Sequence, residues 1–277
     1  MVSSRLDLEY SPSTAAREPA RSLRRYRERS DAARRRLRVH QRVPYGKHRD
    51  EVSHLFPAGR SGTPALVFVH GGHWQESGID DACFAAENAV TQGFAYVAVG
   101  YGLAPSRTLP EMIDAVTRAL VWIADTGPSF GIDPDALYVA GSSAGAHLVA
   151  AALTRSEAPR VRGACLLSGL YDLEEVPRTY VNHALGLSDV LAGSCSPVRM
   201  AAPRCDAILL ATARYETETY QRQQHAYAAV LTAFDVPFTS LVVEDRDHFD
   251  LPLDLADPTT PFGQTTLSHW GKGRSAP

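Results

Sequence analysis

Lysine is nearly missing from this chain. Of 28 basic residues only Lys47 and Lys272 are lysine and the rest are arginine, an Arg and Ala richness that matches the codon bias of a GC-rich bacterial genome. Cysteine is scarce as well. Cys83, Cys165, Cys195 and Cys205 show neither paired spacing nor a C-x-x-C. That excludes a disulfide framework and reads as reduced, mostly buried thiols in a cytoplasmic protein. No run of 18 apolar residues exists and the N-terminus has no apolar signal core, so no membrane contact or export is expected. Metal-ligand clusters and phosphate-cradling glycine loops are missing too, so neither a metal nor a cofactor is expected.

What is present is enough apolar material for a large core: 44% hydrophobic residues over 277, a length normal for a single α/β domain spanning 1–277. The net charge of -3 hides an asymmetry. Residues 1–50 carry +8 and the remainder -11. The segment 17–42 is dense in arginine and is expected to form an amphipathic helix packing through Leu23, Tyr26, Ala32 and Leu37, so that 1–42 is an N-terminal extension lying over the sheet edge near the site. Nucleic acid is not an expected partner, because the rest of the domain is acidic and no reading module is present. A homodimer is compatible with these counts.

Beyond the extension, strands and helices alternate. Apolar runs at 66–70, 94–99, 137–140, 163–168, 207–213 and 238–243 read as strands, the first as a continuous run suited to a sheet covered on both faces. Helical periodicity runs over 81–92, 109–125, 144–155 and 220–234. This order predicts a mostly parallel central sheet with helices on both faces. Residues 169–204 read as a loop-rich insert and 257–277 as a frayed tail.

The chemistry concentrates at Gly141–Ser142–Ser143–Ala144–Gly145, a G-x-S-x-G between a short apolar strand and an Ala-rich helix. That context makes a nucleophile elbow, in which a sharp strand-to-helix turn exposes the serine hydroxyl. A serine needs a base to remove its proton and a carboxylate to orient the base, here in the order Ser, acid, His. Of ten histidines, His248 alone lies immediately after a late strand; His225 falls mid-helix and His269 in the tail. For the acid, Glu216, Glu218 and Asp172 each follow a strand and remain alternatives on spacing. Oxyanion donors are expected from the backbone N–H groups of Gly72 and His73, after the strand that precedes His70–Gly71–Gly72, and of Ala144. His70 itself reads as structural.

Several of these segments together resemble the kynurenine formamidase (arylformamidase) branch of the α/β-hydrolases, over about residues 8–252. LEYSPS at 8–13, VPYG at 43–46, HGGHW at 70–74, YGLAP at 101–105, GSSAG at 141–145, SGLYDL at 168–173, ETETYQRQ at 216–223 and DHFDL at 247–251 all have counterparts there. The resemblance implies the α/β-hydrolase fold, Ser143 as nucleophile, Glu216 as acid and His248 as base. It also implies hydrolysis of an N-formyl aryl amide, N-formylkynurenine giving kynurenine and formate, as in tryptophan catabolism or secondary metabolism. Trp74, Tyr101 and Tyr171, placed in motif loops, are expected to wall the aryl group. Two positions depart from the family pattern: His73 stands where an aromatic is usual and Glu216 where an aspartate is usual. The alternative is a related esterase, lactonase, thioesterase or cyclase taking a small-molecule ester or similar substrate.

Overall fold

A computed structural model describes residues 4–271. The apolar runs become strands, and these assemble in one eight-stranded sheet. The strands are β1 (His40–Pro44), β2 (Val52–Phe56), β3 (Thr63–Val69), β4 (Ala95–Val99), β5 (Ile132–Ser142), β6 (Gly163–Leu167), β7 (Ile208–Tyr215) and β8 (Phe238–Asp247). Their order across the sheet is β1-β2-β4-β3-β5-β6-β7-β8. β2 runs antiparallel to β1 and β4, and every other pairing is parallel.

Period two sorts the strand residues into two cores. Ala65, Val67 and Val69 of β3 face one, with Val139 of β5, and Leu66 and Phe68 face the other, with Ala140. Helices cover both faces: α1 (Arg5–Glu9), α2 (Pro19–Arg36), α3 (Ala86–Thr91), α4 (Leu109–Thr126), α5 (Ala144–Ala152), α6 (Asn182–Leu185), α7 (Asp189–Ser194), α8 (Glu218–Ala233) and α9 (Pro261–Gly271). α4 buries Met112, Ile113, Val116 and Leu120 along one stripe, the 3-4 spacing expected of a helix laid on a sheet. Among the described residues no helix is long and apolar enough to cross a membrane.

Four sequence expectations differ from this architecture. β1 and β2 had no signal, because they are short, antiparallel and interrupted by a bulge between His40 and Val43. The helix expected over 81–92 shrinks to α3, its first half being a 3-10 turn at Ile79–Asp81 and irregular chain. The insert 169–204 carries α6 and α7 and buries Leu170, Leu173, Val176 and Val181. The tail is not frayed through Gly271: Phe262, Thr266 and Trp270, four residues apart on α9, all bury, and Tyr138 donates a hydrogen bond of 2.7 Å to the Trp270 carbonyl. Residues 272–277 of that tail lie outside the described residues.

α2 departs from its expected packing in detail. Ala33 is the fully buried residue of its apolar face, while Leu23 stays exposed. Polar anchors do much of the fixing. Tyr26 donates to the Phe249 carbonyl at 2.8 Å, Arg29 to the Leu253 carbonyl at 2.9 Å, and Ser30 to the Asp81 carbonyl at 2.9 Å. The four cysteines are all buried and free. Burial pushes the Cys83 and Cys205 thiols up to about 12.

Candidate active site

Ser143 sits between β5 and α5 with φ 54° and ψ -120°, a strained region for any residue with a Cβ. The strain persists because the surroundings fix the backbone on both sides. Ser143 N–H donates to the Leu167 carbonyl at 2.7 Å, and the Ser143 carbonyl accepts from His147 N–H at 3.1 Å. The flanking glycines are required by contact. A Cβ on Gly145 would run into the carbonyl oxygens of Val69 and His70, and one on Gly141 into the Gly145 carbonyl. Strand, elbow and helix therefore approach too closely for any side chain at either position.

The segment after β3 carries the other half of the backbone machinery. Gly72 has φ +108°, and His73 and Trp74 follow at φ 48° and 61°. His70 is buried and locked: its Nδ1 lies 2.8 Å from the Gly71 carbonyl, and its ring stacks on Tyr101 at 4.5 Å. Burial lowers its pKa to about 4, so it is neutral near pH 7 and acts as a structural bracket for the glycines. His73 is partly buried, its ring 6.2 Å from that of Tyr180 and its Nε2 3.4 Å from the Tyr220 hydroxyl. Burial and the nearby His248 lower it to about 4 as well.

β7 and β8 deliver the remaining pair. His248 Nδ1 lies 3.1 Å from Glu216 Oε1, both side chains being nearly inaccessible. Nδ1–H donating to the carboxylate leaves Nε2 as the lone-pair nitrogen. The same Oε1 accepts a short hydrogen bond from Ser168, whose φ is 49°. Of the three acid candidates, Glu216 alone reaches His248. Glu218 is exposed in the first turn of α8. Asp172 points to the Glu174 N–H and to Arg199. The N-terminal segment ties down the loops that carry Glu216 and His248: Glu9 accepts from Thr219 N–H at 3.1 Å, and Asp247 accepts from Arg17 N–H at 3.0 Å.

Ser143 and His248 open on one cavity of about 270 Å³. Its apolar wall is Leu23 and Tyr26 of α2 with Phe68, Phe84 and Phe249, and its glycine floor is Gly71 and Gly72. Trp74, Tyr101 and Tyr171 line none of it, which corrects the expectation for all three. The positive φ at Trp74 turns its indole inward, where Nε1 donates to His147 Nδ1 at 3.1 Å and His147 Nε2 meets the Cys195 carbonyl at 2.8 Å. Tyr101 donates to the His70 carbonyl at 3.0 Å, and Tyr171 stacks on Tyr227 at 4.4 Å. Each is a fully buried strut beneath the motif loops.

Tyr220 was missed by the sequence reading. Its buried ring lies 4.6 Å from that of His248, and its hydroxyl interacts with the Ser143 side chain as well as with His73. Its place in ETETYQRQ, beside Glu216, was the available signal. Of the α2 wall, Leu23 and Tyr26 were expected to pack and Arg27 was not singled out. Among the described residues no group of three or more His, Cys, Asp or Glu could hold a metal ion.

Comparison with known proteins gives the family. The α/β-hydrolase-fold family profile matches residues 66–250. A kynurenine formamidase from Danio rerio is 30% identical over 83% of this chain and 81% of its own length. A carboxylesterase from Mycobacterium tuberculosis, NlhH, is 37% identical over 34% of this chain and 30% of its own. Among solved structures, a protein assigned as a thioesterase from Silicibacter sp. TM1040 superposes with a TM-score of 0.82 at 24% identity, covering 95% of this chain and 98% of that one. With the family match spanning the sheet from β3 to β8 and the formamidase likeness running over most of the chain, this protein belongs to the α/β-hydrolase family as an arylformamidase-like hydrolase.

Proposed function

We propose that this hydrolase cleaves an N-formyl aryl amide, with N-formylkynurenine as the reference substrate, through Ser143, His248 and Glu216. The observation that carries the reading is the Glu216–His248 hydrogen bond of 3.1 Å ending on the cavity that also exposes the strained Ser143. His248 Nε2 removes the Ser143 proton as Oγ adds to the formyl carbon. The oxyanion is taken by the N–H groups of Gly72, His73 and Ala144, each worth about 3–4 kcal/mol in the transition state. His248 then hands the proton to the departing arylamine nitrogen, and water attacks the formyl-enzyme by the reverse route to release formate.

Two features favour a small acyl group on an aryl leaving group. Tyr220, itself in contact with His73, crowds Ser143 without lining the cavity, which leaves the acyl side little room. The cavity's phenyl and aliphatic wall suits a flat ring. Because His73 lies outside that wall, its departure from the family pattern leaves the aryl side untouched. A second reading, an aryl or short-chain ester, is favoured by the similarity to a carboxylesterase.

The test follows aromatic absorbance with N-formylkynurenine and with 1-naphthyl acetate in parallel. Formamide turnover supports the first reading, and ester turnover alone sinks it. Ser143→Ala is expected to abolish turnover and labelling by a fluorophosphonate. Activity within tenfold of wild type would show that the nucleophile is elsewhere.

A further inference from the structure

Two opposite charges line the catalytic cavity without pairing. Arg27, on α2, and Asp81, at the end of the Ile79–Asp81 turn, are both in its wall, with the exposed carboxylate of Glu76 nearby. They attract each other through space. Yet no ion pair within 4.0 Å and no hydrogen bond joins their side chains among the described residues. Burial raises the Asp81 carboxyl above its usual range, as expected of a carboxylate that has lost water and gained no donor. Further along α2, Arg29 is engaged with the Leu253 carbonyl and Arg34 with Asp31, whereas Arg27 is exposed at the cavity.

The positions of both groups are set by their neighbours rather than by each other. Tyr26, adjacent to Arg27, is pinned to Phe249 of the His248 loop and packs edge-on to Phe84 at 4.6 Å. Ser30, one turn on, holds the Asp81 carbonyl and accepts from Cys83 N–H at 3.0 Å. The helix and the turn are thus stitched together across the cavity, and the two charges are held apart in its wall. A gap of this kind fits a ligand group carrying both signs. A guanidinium fork takes a carboxylate by two parallel hydrogen bonds, and a desolvated carboxylate takes an ammonium.

We propose that this end of the cavity reads an α-amino-acid headgroup on the aryl leaving group, with Arg27 holding its carboxylate and Asp81 its ammonium. The proposal rests on the formamidase reading of the Ser143 site. It makes α2, an element outside the catalytic loops, the source of substrate selectivity.

Three aryl formamides separate the contributions: N-formylkynurenine, its deaminated analogue 4-(2-formamidophenyl)-4-oxobutanoate, and 2′-formamidoacetophenone, which has no headgroup. Wild type should favour N-formylkynurenine over 2′-formamidoacetophenone by tenfold or more in kcat/KM, mainly through KM. Arg27→Ala should cut that ratio at least tenfold, and for the deaminated analogue equally. Asp81→Asn should lower the ratio for N-formylkynurenine alone. A wild-type ratio below twofold, or a ratio that Arg27→Ala leaves within twofold, overturns the proposal while leaving the formamidase reading intact. Turnover of 1-naphthyl acetate with none of any formamide overturns both. Since the wild-type ratio is itself decisive, the result does not depend on either variant folding.

Discussion

Glu216 places two demands on one oxygen. Oε1 accepts from both His248 and Ser168, while Oε2 is buried without a hydrogen-bond partner among the described residues. The carboxylate is therefore oriented through a single edge, and Ser168 sets that edge. Glu216→Gln keeps the shape but offers an amide that can turn a donor toward Nδ1, favouring the wrong imidazole tautomer. We expect kcat to fall by about 10²–10⁴, in line with loss of a triad acid. Glu218→Ala and Asp172→Ala should stay near wild type in the same steady-state assay, and a larger loss from either would reassign the acid. At this scale the motifs located Ser143 and His248, which line one cavity, and Glu216, which meets His248. They misled at Trp74, Tyr101 and Tyr171. A motif locates a loop but not which way its side chains turn, and the positive φ at Trp74 sends the ring into the core.

Close backbone approach governs the elements. α5 and β3 meet at Gly145 with no room for a methyl group, since the colliding atoms are backbone carbonyls that no rotamer change can move. Gly145→Ala should destabilise the fold by about 3 kcal/mol or more, within the range of severe substitutions. It should also reduce the yield of folded protein, read by thermal unfolding, and an unfolding midpoint equal to wild type would refute the contact. α2 was expected near the site, packing through Leu23 and Tyr26 among others, and both line the cavity with Arg27. Its arginine density reads as a solvated face, so what the sequence did not mark is the place of Arg27 in that wall. Removal of residues 1–40 takes away that wall, the Tyr26 anchor to the His248 loop and the Glu9 contacts to Thr219. Turnover by the truncated chain should drop at least a hundredfold, and wild-type turnover would show that the extension is dispensable. β1 and β2 escaped detection for a different reason, because short antiparallel strands of mixed composition (HQRVP and VSHLF) lack the apolar runs that marked β3 to β7.

Over the whole molecule, burial of neutral histidines sets an acid limit. His70 and His147 are almost inaccessible, and burial lowers both to about 4 from an ordinary value near 6.5. As pH falls below 6.5 the unfolded chain takes up protons that the folded chain refuses, so stability declines between pH 6.5 and 4 and is level above that window. The effect is of order 3 kcal/mol per histidine. Urea unfolding at pH 7.5, 6.0 and 4.5 should show a midpoint constant above pH 6.5 and falling below it. His147→Gln should flatten the fall, and an unchanged acid slope would locate the limit elsewhere. The parallel architecture itself was legible throughout, because runs such as Leu66–Val69 and Leu137–Ala140 are apolar on every residue, as strands covered on both faces must be.

The Glu9–Thr219 and Arg17–Asp247 contacts also impose an order on biosynthesis. Their partners are 210 and 230 residues apart in the chain. A ribosome adding residues at about 5–20 per second leaves the first helices without their docking sites for roughly 10–45 seconds. During that wait α2, with eight arginines in 18 residues, has only its earlier partners such as the Asp81 carbonyl and the Cys83 N–H, both held by Ser30. The Glu9, Arg17 and Tyr26 anchors close only after β7 and β8 have been made, so the loops that carry Glu216 and His248 are fastened last.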